Sequence, residues 1–323
     1  MANKVNIAGA TSGNNIKLDN SVLDVFTKEI LFTAQPVLRF ESVAVKKTDL
    51  QATPGNTIKF LKYDALSGDS AIAETTDIET DTLSTSVKSI VVGEHAKAVA
   101  VREFLLRSAM TDVMKDASTQ LGRHYAKRRD GLCRDVLLTS PNVLYGGGVA
   151  NRAALTGAGV LDLSLIRDAV ENLAINKAPK FSGDAYVCFV HPHQGRKLRD
   201  TSGWLNIQQY ASPENLLSGE IGRIEDVRFV ETTQITKIPK TTQDIFADNE
   251  DTGVNTAVAA HATQDCYQAI IVGDYALGFA EALPVEMRDN GVQDFGRKHS
   301  LAYYGIWGAG LIESGHVFVL ETV

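Results

Sequence analysis

The stretch that decides the fold is "LSTSVKSIVVGEHAKAVAVREFLLRSAMTDVMKDASTQLGRHYAKRRDGLCRDVLLTS", residues 83–140. Its hydrophobic period changes half-way. From Leu83 to Val101 the pattern is that of a strand, through Val87, Val91 and Val99, with Gly93 as a bend. Beyond Arg102 the spacing becomes helical. Leu106, Met110, Val113, Ala117, Leu121, His124, Arg128, Leu132 and Val136 fall near one side of a helix, which Gly122 and Gly131 weaken locally. An unbroken strand over 83–101 would reach about 60 Å, and an unbroken helix roughly 50 Å. A compact chain of 323 residues has a radius of gyration near ~20 Å, hence a diameter of about 50 Å. Both elements are as long as the whole expected globule. This predicts an extended subunit whose long elements are covered by neighbours.

Upstream, Ile58 and Phe60 alternate with Thr57 and Lys59, which predicts a second strand. The run from Asp64 to Asp81 contains Asp64, Asp69, Glu74, Asp77, Glu79 and Asp81 and neither Lys nor Arg. Before these lies a polar, Gly- and Asn-rich arm over 1–20. A helix follows, capped by Ser21, burying Val22, Val25, Phe26 and Ile30, and ended by Pro36.

Downstream, "PNVLYGGGVANRAALTGAGV" reads as a loop. It lacks the lysine of a phosphate-binding G-x-x-x-x-G-K-[ST] motif. "DLSLIRDAVENLAINKAP" is a helix with Asp162 or Ser164 at its cap and Pro179 beyond its end. In "YVCFVHPHQGRKLRD" (186–200) a strand runs through Val190, and Pro192 suits the first turn of a helix. His191 and His193 flank that proline as two metal ligands would. Side chains two residues apart diverge across such a turn, however, and the other ligand types are Asp200 and the distant His261, His299 and His316. Cys188 lies within the apolar strand, where burial disfavours a thiolate. A strand over Val227–Val230 and a polar excursion over 238–264 precede a C-terminal region of strands. There Tyr303, Ile306 and Val317 to Leu320 are core candidates.

Composition narrows the function. The formal charge of -7 argues against a dedicated nucleic-acid binder, whose affinity comes from cations meeting phosphates. The three cysteines, Cys133, Cys188 and Cys266, are too few and too scattered for a disulfide frame or a zinc knuckle. No run approaches the roughly 18 apolar residues of a membrane span, and the N-terminus has no signal-peptide core, which predicts a soluble, cytoplasmically made protein. No G-x-S-x-G, H-E-x-x-H or C-x-x-C motif occurs.

The order of parts then carries a resemblance. The stretches "TPGNTIKFLKYDALSGDSAIAE" (53–74), "YVCFVHPHQGRKLRD" (186–200), "YQAIIVGDYALGF" (267–279) and "RKHSLAYYGIWGAGLIESGHVFVLET" (297–322) together resemble the major capsid proteins of tailed bacteriophages, in the branch typified by the N-four-like phages. The likeness covers residues 20–323. It implies an α+β fold of the Hong Kong 97 type: an N-terminal arm over 1–50, an extended β-hairpin loop over 51–101, and a spine helix with its connector over 102–154. An axial lobe over 155–262 would follow, then returning strands over 263–323 shared by the axial and peripheral lobes. It implies a structural role without catalytic residue, cofactor, metal or membrane. The partners would be other copies of the chain in hexamers and pentamers, separate scaffold and portal proteins, a decoration protein, and packaged double-stranded DNA held by weak non-specific contact. Assembly would occur in the host cytoplasm and the product would be the virion shell.

The resemblance also suggests contacts. Ile58 and Phe60, on the alternating apolar face of 57–63 and 83–92, would be buried against a neighbour. The acidic residues Asp69, Glu74, Asp77, Glu79 and Asp81 would meet basic residues next door. Independently of the resemblance, Arg123, His124, Lys127, Arg128 and Arg129 make a basic stretch of the long helix, which predicts salt bridges to Asp116, Asp130, Asp135 or a neighbour's acidic loop, or weak phosphate contact. Two alternatives remain: a bacterial nanocompartment shell of the same fold, and a metal-dependent enzyme using His191 and His193.

Overall fold

The computed structural model describes residues 38–48, 55–63, 83–108, 113–182, 184–199, 205–206, 220–238 and 265–323. The arm over 1–20, the helix after Ser21, the acidic residues Asp64 to Asp81, Asp200 and the stretch 239–264 lie outside these. In chain order the strands are β1 (Ala44–Lys47), β2 (Thr57–Tyr63), β3 (Thr85–Val91), β4 (Gly93–Arg102), β5 (Val143–Tyr145), β6 (Tyr186–Val190), β7 (Leu205–Asn206), β8 (Glu220–Ile224), β9 (Val227–Glu231), β10 (Lys237–Ile238), β11 (Cys266–Val272), β12 (Leu277–Gln293), β13 (Lys298–Leu311) and β14 (Val317–Thr322). The helices are α1 (Glu103–Ser108), α2 (Val113–Leu138), α3 (Leu163–Ile175) and α4 (Pro192–Arg199).

The strands form two principal sheets and a separate hairpin. The first sheet has the order β1-β12-β13-β4, and the second runs β5-β14-β11-β6-β9-β8-β7, with β10 beside β11. The C-terminal strands divide between them: β12 and β13 make the centre of the first sheet, β11 and β14 the centre of the second. The second sheet is covered on both faces, which explains the unbroken apolar runs "YVCFV" and "AIIV". Phe189, Ile270 and Val272 join one core with α2, whereas Cys188, Ala269 and Ile271 join another with α3. Asp162 caps α3 by accepting the Leu165 N–H at 3.0 Å.

The long strand of 83–101 is not continuous. Val92 separates β3, which pairs with β2, from β4, which pairs with β13. Gly93 opens β4 at the bend, and the Val92 N–H donates to the Asn56 carbonyl at 3.0 Å, holding the branch point. The expected 60 Å ribbon is therefore two strands in two sheets.

Helix α2 has 26 residues, so it is about 39 Å long. It packs on the first sheet through Tyr125, whose ring meets Tyr303 and Trp307 edge-on at 5.7 and 5.4 Å. The buried line of the helix is Leu121, Tyr125, Arg129, Cys133 and Leu137. Beyond Leu121, which both lines share, it is rotated from the expected line of His124, Arg128, Leu132 and Val136, which now flanks it half-buried. The cause is a polar cluster under the helix. Arg129 donates to Glu41 and to Glu281, each at 2.8 Å, and bonds the Tyr125 hydroxyl. Asp130 Oδ1 accepts the backbone N–H groups of Arg39, Phe40 and Glu41 at 2.8, 2.8 and 3.3 Å. It thereby fastens the 3-10 turn Phe40–Val43, and with it β1, to the helix. Burial pushes the Asp130 carboxyl up to about 7, while those three N–H groups pull the other way.

The Gly-rich loop is also a structural element. Arg152 within it reaches the buried Glu321 of β14 at 2.5 and 2.7 Å, and Gln268 shares that carboxylate at 2.9 Å.

Candidate assembly surface

The hairpin of β2 and β3 presents two different faces. In its register Ile58 opposes Ile90, and Leu61 opposes Val87. Because side chains alternate, Ile58, Phe60 and Ile90 share one face, while Leu61, Tyr63, Val87 and Val91 share the other. The first face is buried within the same chain. Ile58, Phe60 and Ile90 pack with Ala280, and with Val45, Val92 and Ile312 around them. The expectation that Ile58 and Phe60 contact a neighbour is thus corrected: both are internal contacts of the subunit.

Close approach of backbones makes this seat. A Cβ at Gly278 would lie 2.7 Å from the Ile90 Cδ1, and one at Gly308 would lie 2.3 Å from the Val91 carbonyl oxygen. Lys47 extends over the Phe60 ring at 4.6 Å and donates to the Lys59 carbonyl at 3.1 Å. Lys62 pairs with Glu313, holding that carboxyl below the usual carboxylate range. Gly308→Ala is expected to push the β3 backbone off its seat and to lower stability by about 1–3 kcal/mol. Thermal unfolding of the unassembled chain checks this, and an unchanged midpoint would contradict the seat.

The second face has no cover within the described residues. Leu61, Tyr63, Val87 and Val91 are 62%, 61%, 46% and 63% exposed. A second exposed apolar group lies at the far end of the first sheet. There Phe104 and Leu105 of α1 and Phe295 of the β12–β13 turn project outward. Phe104 and Leu105 border a cleft of about 890 Å³ that Arg102, Arg107, Arg297 and Lys298 also line.

Of the basic stretch on α2, Arg123 and Lys127 are exposed, Arg128 is half-buried and Arg129 is buried. Arg129 forms salt bridges, but with Glu41 and Glu281 rather than with Asp116, Asp130 or Asp135. Its buried position removes it from any phosphate contact. Asp69, Glu74, Asp77, Glu79 and Asp81 lie outside the described residues. His191 and His193 both stack on Tyr267, with centroids at 4.7 and 5.0 Å. The His191 Nδ1 accepts the His193 backbone N–H at 3.2 Å, and burial holds the His191 ring below its ordinary pKa. Among the described residues no three His, Cys, Asp or Glu side chains converge as metal ligands would, and no helix is long and apolar enough to cross a membrane.

A sequence profile described as phage capsid protein matches residues 86–317. The chain belongs to the phage capsid protein family. This capsid protein is similar in fold to the capsid of Ralstonia phage GP4, with a TM-score of 0.70 at 17% identity over 87% of each chain. It is also similar to the head of Helicobacter pylori bacteriophage KHP40, with a TM-score of 0.64 at 14% identity over 88% of this chain and 90% of that one. The likeness to a virus-like particle from Pyrococcus furiosus is lower, with a TM-score of 0.52 at 11% identity over 93% of this chain and 99% of that one. No curated protein matches the sequence. The expected Hong Kong 97-type fold holds, and the capsid protein is a structural subunit of a phage shell. The phage family match leaves the nanocompartment reading unfavoured.

Proposed function

We propose that copies of this capsid protein join as hexamers and pentamers into an icosahedral shell around the double-stranded DNA genome of a tailed phage. The observation that carries this reading is the two-faced hairpin. One face is clamped to its own subunit, and the other offers Leu61, Tyr63, Val87 and Val91 to solvent. An exposed apolar row on a well-anchored ribbon is what a permanent interface needs, since such interfaces resemble a core cut in half. The neighbouring copy would cover that row. The first sheet with α2 corresponds to a peripheral lobe, and the second sheet with α3 and α4 to an axial lobe. The subunit acts by shape rather than by chemistry. A scaffold protein and a portal would set the size and opening of the shell, a decoration protein could add to it, and assembly would take place in the host cytoplasm. Arg123 and Lys127 are exposed cations of α2 suited to weak phosphate contact.

Expression of the chain with the scaffold protein encoded beside it should give closed particles by electron microscopy. A product that stays monomeric at all concentrations would refute the proposal. Particles filled with a host enzyme instead of nucleic acid would favour the nanocompartment reading.

A further inference from the structure

Strand β12 carries the only Asn-Gly pair in the sequence, Asn290–Gly291. Such a pair is chemically labile. The glycine nitrogen can attack the asparagine Cγ, because no side chain on the glycine hinders the approach. A bond forms between that nitrogen and Cγ, and the nitrogen gives its proton to water. The side-chain nitrogen takes up a proton and leaves as ammonia. Water then opens the cyclic imide at either carbonyl, which leaves aspartate or isoaspartate at position 290. The net change is water taken up and ammonia released.

The fold presents the two halves of this pair differently. Asp289 pairs with Leu301 and Val292 with His299, so Asn290 and Gly291 stand opposite Ser300 alone, as a β-bulge. Gly291 has a φ of 71° there, a left-handed conformation that glycine adopts without strain. Asn290 is exposed to water, whereas Gly291 is buried. The Gly291 N–H donates to Asp289 Oδ1 at 2.8 Å. The same oxygen accepts the His299 Nε2–H at 2.7 Å. The Asp289 side chain is 1% exposed and that of His299 16%.

We infer that Asp289 is a lock on this modification site: its carboxylate holds the Gly291 nitrogen away from the Asn290 Cγ, so the folded chain does not convert to aspartate or isoaspartate there. Attack requires the nitrogen to shed its proton and turn its face towards Cγ. A buried, charge-assisted hydrogen bond resists both. A carboxylate this close could instead act as a base and speed the reaction. Two donors already fill Oδ1, however, which leaves it no room to take the proton. The lock matters to the first sheet. Isoaspartate would insert an extra atom into the backbone of β12, and either product would put a negative charge beside Asp289.

Peptide mass spectrometry of the purified chain, stored at neutral pH, follows conversion at position 290. The folded wild type should convert about tenfold or more slowly than the same chain unfolded in urea. Asp289→Ala removes the acceptor and should speed conversion in the folded chain by about tenfold. Asp289→Asn keeps an acceptor oxygen for the Gly291 N–H and should fall between the two. Thermal unfolding establishes that the variants are folded when their rates are compared. A rate for folded Asp289→Ala equal to that of the wild type would overturn the inference. Slower conversion in either variant would mark Asp289 as a base, which also overturns it. If Asp289→Ala does not fold, hydrogen exchange of the wild type decides. The Gly291 amide should then exchange about tenfold or more slowly than a freely solvated glycine amide, and unprotected exchange would overturn the lock.

Discussion

Arg129→Ala should lower the unfolding free energy of the unassembled subunit by about 3–4 kcal/mol, within the range for orphaning a buried charge. The Arg129 side chain is 9% exposed and lies between Glu41, 2% exposed, and Glu281, 16% exposed. Its guanidinium also covers the Phe279 ring at 4.4 Å. Removing it leaves two carboxylates facing each other in a space with little water. Lys46 still reaches Glu41 at 2.6 Å, but its own side chain is 55% exposed, so it offsets only part of the cost. A domain stable by about 5–15 kcal/mol would lose a large share of its margin. The damage should concentrate on residues 38–47, because Glu41 belongs to the 3-10 turn that Asp130 fastens to α2. Urea unfolding of the unassembled chain measures the loss. Arg129→Met combined with Glu41→Gln and Glu281→Gln should recover most of it, since no buried charge is then left alone. A midpoint for Arg129→Ala equal to that of the wild type would show that the cluster carries no stability.

That cluster marks where the sequence stopped being legible. The period of α2 was plain, yet its inward face was not, because that face carries Arg129 and Asp130, charged residues that no apolar period marks. Glu41 and Glu281 turn that face inward, and they lie 88 and 152 residues from Arg129 along the chain. Local elements fared better. Strands β6 and β11 could be read from unbroken apolar runs, α3 from a cap at Asp162 or Ser164, and the bend at Gly93 from the glycine itself, whereas β5 lies in a stretch that reads as a loop. The hairpin was readable as two alternating strands, but alternation identifies two faces without saying which one its own chain covers. Gly278 and Gly308 decide that, and each is more than two hundred residues away from β2. The surroundings of His191 and His193 were hidden for a related reason. Tyr267 of β11 stacks on both rings, a neighbour that no local spacing could reveal.

The two faces of the hairpin should therefore fail in opposite ways. Leu61→Asp with Val87→Lys should abolish closed shells while leaving the subunit folded. Both positions are exposed in the single chain, so monomer stability should change by no more than about 0.5 kcal/mol. The pair stands directly across the two strands, and opposite charges there support the ribbon rather than splitting it. In a shell the same substitutions would place charges where a neighbour needs apolar area. Each buried side chain of this size contributes roughly 1.5–3 kcal/mol, so every contact would lose about 3–6 kcal/mol. A shell repeats that loss at each interface. Ile58→Asp acts on the other face. Ile58 is 3% exposed in its seat beside Phe60 and Ile90, so a carboxylate there should loosen the hairpin in the unassembled chain itself. Sedimentation and thermal unfolding separate the outcomes: a stable monomer without shells for the outer pair, and a destabilised monomer for Ile58→Asp. Normal shells from Leu61→Asp with Val87→Lys would mean that no neighbour covers the outer face, and the proposed use of the hairpin would fall with it.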